Sequence, residues 1–279
     1  TRSVNLVFIR LMRDVVRHVM ARGEGESAAL GDDASNPRRR VYLARFADKE
    51  GRQFLAQYYR KYAEMPPAEA VDALVGNMRK SAKRLTTLFR SVRPEATADS
   101  LAKFLAARLS PEAMGDISVA QLYEAYGPEV YDLQDRAYIL RVEPMELWFV
   151  SYLQDHPRPG WGETVEAGAA ARQEAYRWLF KTGSLDKQNK RIRIMLEEDA
   201  FDLVHQAWQR LGYPFDSFVS SYASAIGSSA DRPAALADLM GIIVNEGLRR
   251  PSRRLEYLRF GGNTPFETNL AYRPPPPER

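Results

Sequence analysis

A serine and an asparagine two residues apart stand near the start of the chain, Ser3 and Asn5 in TRSVNLVFIRLM. Either they begin a buried helix, or they are the hydroxyl and the amide of an active site whose other parts lie elsewhere. Lys181-Thr182-Gly183 is a second candidate, and Ser228-Ser229 after Gly227 suggests a nucleophile or a phosphate loop. No G-x-S-x-G and no G-K-[ST] accompanies those serines, so a helix cap with Asp231 ahead of Pro233 accounts for them. Glu197-Glu198-Asp199, near Arg191 and Arg193, could pair carboxylates for acid-base work, although a solvated face with i,i+4 ion pairs is the far commoner explanation. His18, His156 and His205 lack metal-ligand spacing such as H-E-x-x-H and read as surface or core histidines. Trp148, Trp161, Trp178 and Trp208 could line a sugar groove, but three of the four fall in helical apolar patterns, which points to core packing.

Composition narrows the classes. The chain has 279 residues, 45% of them hydrophobic and 11% aromatic, enough for a packed core and against disorder. Forty Lys+Arg against 36 Asp+Glu give a net charge of +4. The basic clusters Arg38-Arg39-Arg40, 190–193 and 249–254 are dispersed and interleaved with acids, which argues against nucleic acid as a partner. The absence of cysteine excludes disulfides, thiolate metal sites and a cysteine nucleophile. No run of about 18 apolar residues is present to span a membrane. Thr1, with no methionine and apolar residues close behind it, is expected to be the cut edge of a longer protein.

The elements that must position these groups are mostly helices. Val4, Phe8, Leu11, Val15 and Val19 recur at three- and four-residue steps, which predicts an amphipathic helix capped by Ser3 with that stripe buried. A loop follows through 23–37. Tyr42, Phe46, Phe54, Tyr58 and Tyr62 predict a long or twice-broken helix, and Pro67 opens the next at its first turn. Further helices are expected over 80–92, 98–109, 118–126, 132–141, 145–154, 165–181 and 188–211, with a strand near Leu255–Phe260 and an extended polyproline tail. Many short helices without heptads or internal repeats mean a mainly α, irregular multi-helix body.

Two stretches resemble class A penicillin-binding proteins, the bifunctional glycosyltransferase/transpeptidases. TRSVNLVFIRL is similar to their S-x-N region, with Ser3 and Asn5 on the motif positions and Val7 where a proline is common. ADRPAALADLMGIIVNEGLRRP is similar to the helix and turn that precede their K-T-G strand. There Pro233, Leu236, Ala237, Asn245, Gly247 and Pro251 match, while Arg232 replaces a threonine and Glu246 a glycine. In that family the K-T-G strand follows this helix, whereas Lys181-Thr182-Gly183 precedes it; this reads as a helix end capped by Gly183. VYDLQDRAYILRVEPMELWFVSYL is similar to the middle of long proteobacterial variants.

The resemblance implies residues 1–22 as the S-x-N helix, 23–212 as an α-helical insertion, 213–268 as a transpeptidase helix-turn-strand segment, and 269–279 as a proline-rich linker or edge. The fold implied for the parent domain is α/β, serine β-lactamase-like, with only part of it present. The implied activity is cross-linking of peptidoglycan stem peptides through an acyl-serine, with the nucleophilic Ser/Lys pair and K-T-G outside this chain. Ser3 would relay a proton to the departing amine and Asn5 would hydrogen-bond the donor peptide's amide. No metal or organic cofactor is implied. Stem peptides and their lipid-linked precursor are the implied partners, β-lactams the inhibitors, and the periplasmic side of the inner membrane the place, with the anchor outside this chain. The alternative is a catalytically inactive helical scaffold for envelope proteins.

Overall fold

The computed structural model describes residues 4–22, 36–114, 118–180, 185–250, 257–259 and 267–269. The protein is mainly helical. In chain order the helices are α1 (Asn5–Arg22), α2 (Pro37–Tyr62), α3 (Pro67–Gly76), α4 (Ala82–Val92), α5 (Ala98–Ala106), α6 (Pro111–Met114), α7 (Val119–Ala125), α8 (Leu133–Leu140), α9 (Pro144–Asp155), α10 (Trp161–Ala167), α11 (Ala169–Ala175), α12 (Leu185–Arg210) and α13 (Pro233–Val244). Short 3-10 turns occupy Arg177–Phe180 and Tyr222–Ile226. Strands β1 (Tyr257–Arg259) and β2 (Glu267–Asn269) pair antiparallel, with Leu258 opposite Thr268. The chain divides into two compact units within α12: one holds Ala28–Arg193, the other the residues up to Ser27 and from Ile194 onward.

The Ala28–Arg193 unit is built around α4. Ser81 caps it by accepting the Arg84 amide, and its apolar Leu85, Leu88, Phe89 and Val92 are buried together with Thr87 and Ser91. Those two hydroxyls donate to the carbonyls of Lys83 and Thr87 one turn back, so burial leaves neither donor unpaired. Helices α5, α7, α8 and α9 pack against it, and α2 and α3 pack on α9, so that Leu55, Tyr62, Leu74, Leu140, Phe149 and Leu153 share one core. α2 is one unbroken helix rather than a twice-broken one. Asn36 caps it at 2.9 Å, Pro37 pre-sets its first turn, and Gly51 sits where the helix meets Arg172. A Cβ on Gly51 would lie 2.7 Å from Arg172 Cγ, so the glycine is kept for space, not for flexibility.

The single helix expected over 165–181 is instead two seven-residue helices and a 3-10 turn, beginning earlier, at Trp161. Gly168 ends α10 and starts α11. A Cβ there would stand 3.0 Å from Trp148 and 3.2 Å from the Thr164 carbonyl, so the two helices turn about a position that excludes a side chain. Helical periodicity survives such a break, which is why apolar spacing alone does not reveal it.

The second unit has a smaller core. Met12 and Val16 of α1 pack with Ala200 and Phe201 of α12, bordered by Val19, Met20, Trp208, Phe218 and Tyr222. This corrects the expected stripe on α1. Val4, Phe8, Leu11 and Val15 are exposed at 60%, 48%, 59% and 41%, and only Val19 joins the core. The buried face is Met12, Val16, Val19 and Met20, which also follows helical spacing, so α1 has two apolar faces and one of them is open.

Candidate functional site

Of the two motif residues, Asn5 is the first residue of α1 and is exposed, and Ser3 lies outside the described residues. The C-terminal half of α1 is fixed by the core below it. Tyr222 on the facing 3-10 turn is partly buried beside the Glu197 carboxylate, and both effects push its phenol up to about 12, with Arg17 and Arg13 opposing them. Glu197 therefore engages the Tyr222 phenol by a side-chain hydrogen bond. Among the described residues no three His, Asp or Glu gather as a metal site.

The downstream stretch folds as a helix, a turn and a strand pair. Pro233 stands at the first turn of α13, and Asn245 at its end donates from Nδ2 to the Gly241 carbonyl at 2.7 Å. Glu246 and Gly247 then turn left-handed, with φ of 58° and 88°, and the Gly247 amide donates to Ile242 O at 2.9 Å. The glycine that the resemblance expects at 246 matches this backbone better than the glutamate present. Glu246→Gly is accordingly expected to raise stability by about 0.5–1 kcal/mol, since the left-handed penalty of a side chain exceeds the added freedom of the unfolded chain. Equilibrium urea unfolding checks it.

The serines near the turn are tied to each other. Ser224 Oγ donates to Val219 O at 2.6 Å and lies 3.2 Å from the hydroxyls of both Ser228 and Ser229, while Ser229 Oγ accepts the Val219 amide. The expected helix cap is not formed. Asp231 accepts the Arg232 amide at 2.7 Å, and α13 begins without a side-chain cap. No imidazole or carboxylate bonds these hydroxyls among the described residues, so the cluster knits a loop and lacks an activating base.

The histidines are structural as well. His156 stacks on Tyr152 at 4.1 Å, and His205 stacks on Phe218 with Nε2 3.0 Å from the Phe215 carbonyl. Trp148, Trp178 and Trp208 are partly buried, and Trp148 and Trp208 pack against the cores of their units, as the helical apolar pattern predicts. Trp148 stacks on Tyr152 and Trp161 is 41% exposed against Tyr59. Trp208 lines a cavity of about 250 Å³ with Leu211, Tyr213 and Leu236, and Trp178 lines one of about 300 Å³ with Tyr138, Tyr176 and Glu143.

Lys181-Thr182-Gly183 lies outside the described residues, as does the expected cap at Gly183. Two strings with S-x-x-K spacing went unnoticed in the sequence, Ser100–Lys103 and Ser184–Lys187. Ser184 lies outside the described residues, and Ser100 makes no bond to Lys103 among them. The Ser100 hydroxyl lies 3.1 Å from Thr97 Oγ1 in the cap of α5, and Lys187 Nζ sits 5.4 Å over the Trp178 ring.

Sequence reasoning also missed a buried acidic cluster. Glu143 caps α9, accepting the amides of Met145 and Glu146 at 2.7 and 3.2 Å. Burial nevertheless pushes its carboxyl up to about 7, outweighing those two bonds, with the Glu146 charge adding to the rise. Glu146, 8% exposed, accepts from the Tyr62 hydroxyl at 2.7 Å and from Lys61 at 2.8 Å. A glutamate directly before Pro144 was the available signal, because that pair marks a helix start. No family model matches the chain, and neither a curated protein nor a solved structure is similar to it.

Proposed function

We propose that this chain is part of a peptidoglycan D,D-transpeptidase of the class A penicillin-binding type, with its nucleophilic serine and lysine and its K-T-G strand on segments outside these 279 residues. The observation that carries the reading is the company Asn5 keeps. The helix it begins belongs to the same compact unit as α13, the Asn245–Gly247 turn and the strand pair, although the whole Ala28–Arg193 unit intervenes in sequence. A separate core for Ala28–Arg193 fits an insertion into that domain. Open apolar faces on α1 (Val7, Phe8, Leu11) and α13 (Leu236, Met240, Ile243) add support, since helices that flank a sheet need such faces.

In this reading the serine outside the chain attacks the D-Ala-D-Ala carbonyl. Ser3 passes a proton to the departing amine, and Asn5 holds the donor peptide's amide so that the carbonyl is in reach. The stem peptide and its lipid-linked precursor are the substrates, β-lactams acylate the same serine, and the protein works on the periplasmic side of the inner membrane. The test is the rate of acylation of the polypeptide carrying these residues by a fluorescent penicillin. Ser3→Ala is expected to slow it by about 100-fold, the usual worth of a positioned proton-transfer group, and Asn5→Ala to slow it too, with Lys181→Ala unchanged. Equal rates for wild type and Ser3→Ala would remove the assignment. An inactive scaffold is the second reading, favoured by the size of the Ala28–Arg193 core relative to that of the other unit.

A further inference from the structure

A cavity of about 390 Å³ opens between α3, α4 and α5 in the Ala28–Arg193 unit. Its floor is apolar and fixed: Val71, Phe89 and Val92 are 5%, 1% and 4% exposed, and the ring of Phe104 packs 5.1 Å from that of Phe89. Its rim is basic. Arg108 lies 4.0 Å over the Phe104 ring and donates to Asp72 at 2.6 Å, which leaves one of the three cations at the rim neutralised. The side chains of Arg93 and Lys103 make no hydrogen bond or ion pair among the described residues.

We propose that this cleft docks an acidic peptide segment of a partner protein, which seats one large apolar side chain on the Val71–Phe89–Phe104 floor while its flanking carboxylates meet Arg93 and Lys103. A preformed floor lowers the ordering cost of binding, and unpartnered cations at its edge select for negative charge. A membrane surface is the less suitable occupant. Binding to a bilayer wants a broad face of protruding apolar side chains, and none of the exposed large hydrophobic residues falls within 67–108. The inference rests on the cleft alone and stands or falls independently of the transpeptidase reading.

The test is fluorescence anisotropy of the full chain with a labelled hexapeptide of two leucines flanked by four glutamates, at low salt. A parallel arm measures sedimentation with phosphatidylglycerol vesicles. Binding is expected to weaken by about tenfold or more in the Arg93→Glu/Lys103→Glu variant and at high salt. It should also be lost when the leucines become serines, or when Ala107→Trp fills the cleft while helical circular dichroism is retained. No binding of the leucine peptide, equal binding of the serine peptide, indifference to the charge reversal, or vesicle binding without peptide binding would each overturn the proposal.

Discussion

Arg172→Ala is expected to lower the stability of the Ala28–Arg193 unit by about 2–4 kcal/mol, the range for truncating a large buried side chain and leaving an acceptor without its donor. Arg172 is 2% exposed. Its Nε donates to Asp48 at 2.8 Å and its Nη1 to the Val165 carbonyl at 2.7 Å, and its stem fills the space that Gly51 leaves on α2. Asp48 keeps Arg52 as a second partner at 2.7 Å, so the substitution does not strand the carboxylate. The loss comes mainly from the emptied contact with α2 and from the Val165 carbonyl left without its donor. Gly51→Ala attacks the same contact from the other side. Because the two residues share one space, the double variant should cost clearly less than the sum of the singles, and a double-mutant cycle by urea denaturation measures the shortfall.

A second large effect is expected from pH. The folded pKa of Glu143 lies above its unfolded value, so the folded state holds the proton more tightly across the interval between them. Stability from this group is full below the unfolded value near 4.5 and is lost as pH rises through about 7. One pH unit in that interval is worth up to about 1.4 kcal/mol, and a half-buried group should show about 2 kcal/mol over the whole rise. Glu143→Gln keeps an oxygen for the amides of Met145 and Glu146 and cannot ionise. The variant should therefore be the more stable protein above neutrality, and its denaturation midpoint should vary less between pH 5 and pH 8, about the span of that titration. A midpoint that falls as steeply in the variant as in the wild type would place the titration elsewhere.

Helices were legible where apolar residues recurred and a proline marked the first turn, as at Pro67 and Pro233, whereas Asn36-Pro37, read as loop, is in fact the cap and first residue of α2. Their faces and breaks were less so. α1 carries apolar residues on two sides, and spacing could not decide that Met12 and Val16, rather than Phe8 and Leu11, meet Phe201. The choice depends on what the rest of the chain offers, and Phe218 and Tyr222 lie some 200 residues on, a separation that local pattern does not bridge.

Buried charge was illegible for the same reason. Arg39 and Arg172 look like surface residues in sequence, and their partners Gln188 and Asp48 lie 149 and 124 positions away. The S-x-N residues present the reverse case. Ser3 and Asn5 are readable as a motif because its spacing is local, and under the proposed function the groups they would act with lie on other segments.

The most direct measurement is mass spectrometry of the polypeptide that carries these residues after exposure to benzylpenicillin, with the adduct located by proteolysis. The account predicts one penicilloyl group on a serine outside residues 1–279, in an S-x-x-K string, and none on the 279-residue chain alone. An adduct on Ser100, Ser184 or the Ser224–Ser229 cluster, or a folded polypeptide that takes up no penicillin, would contradict it.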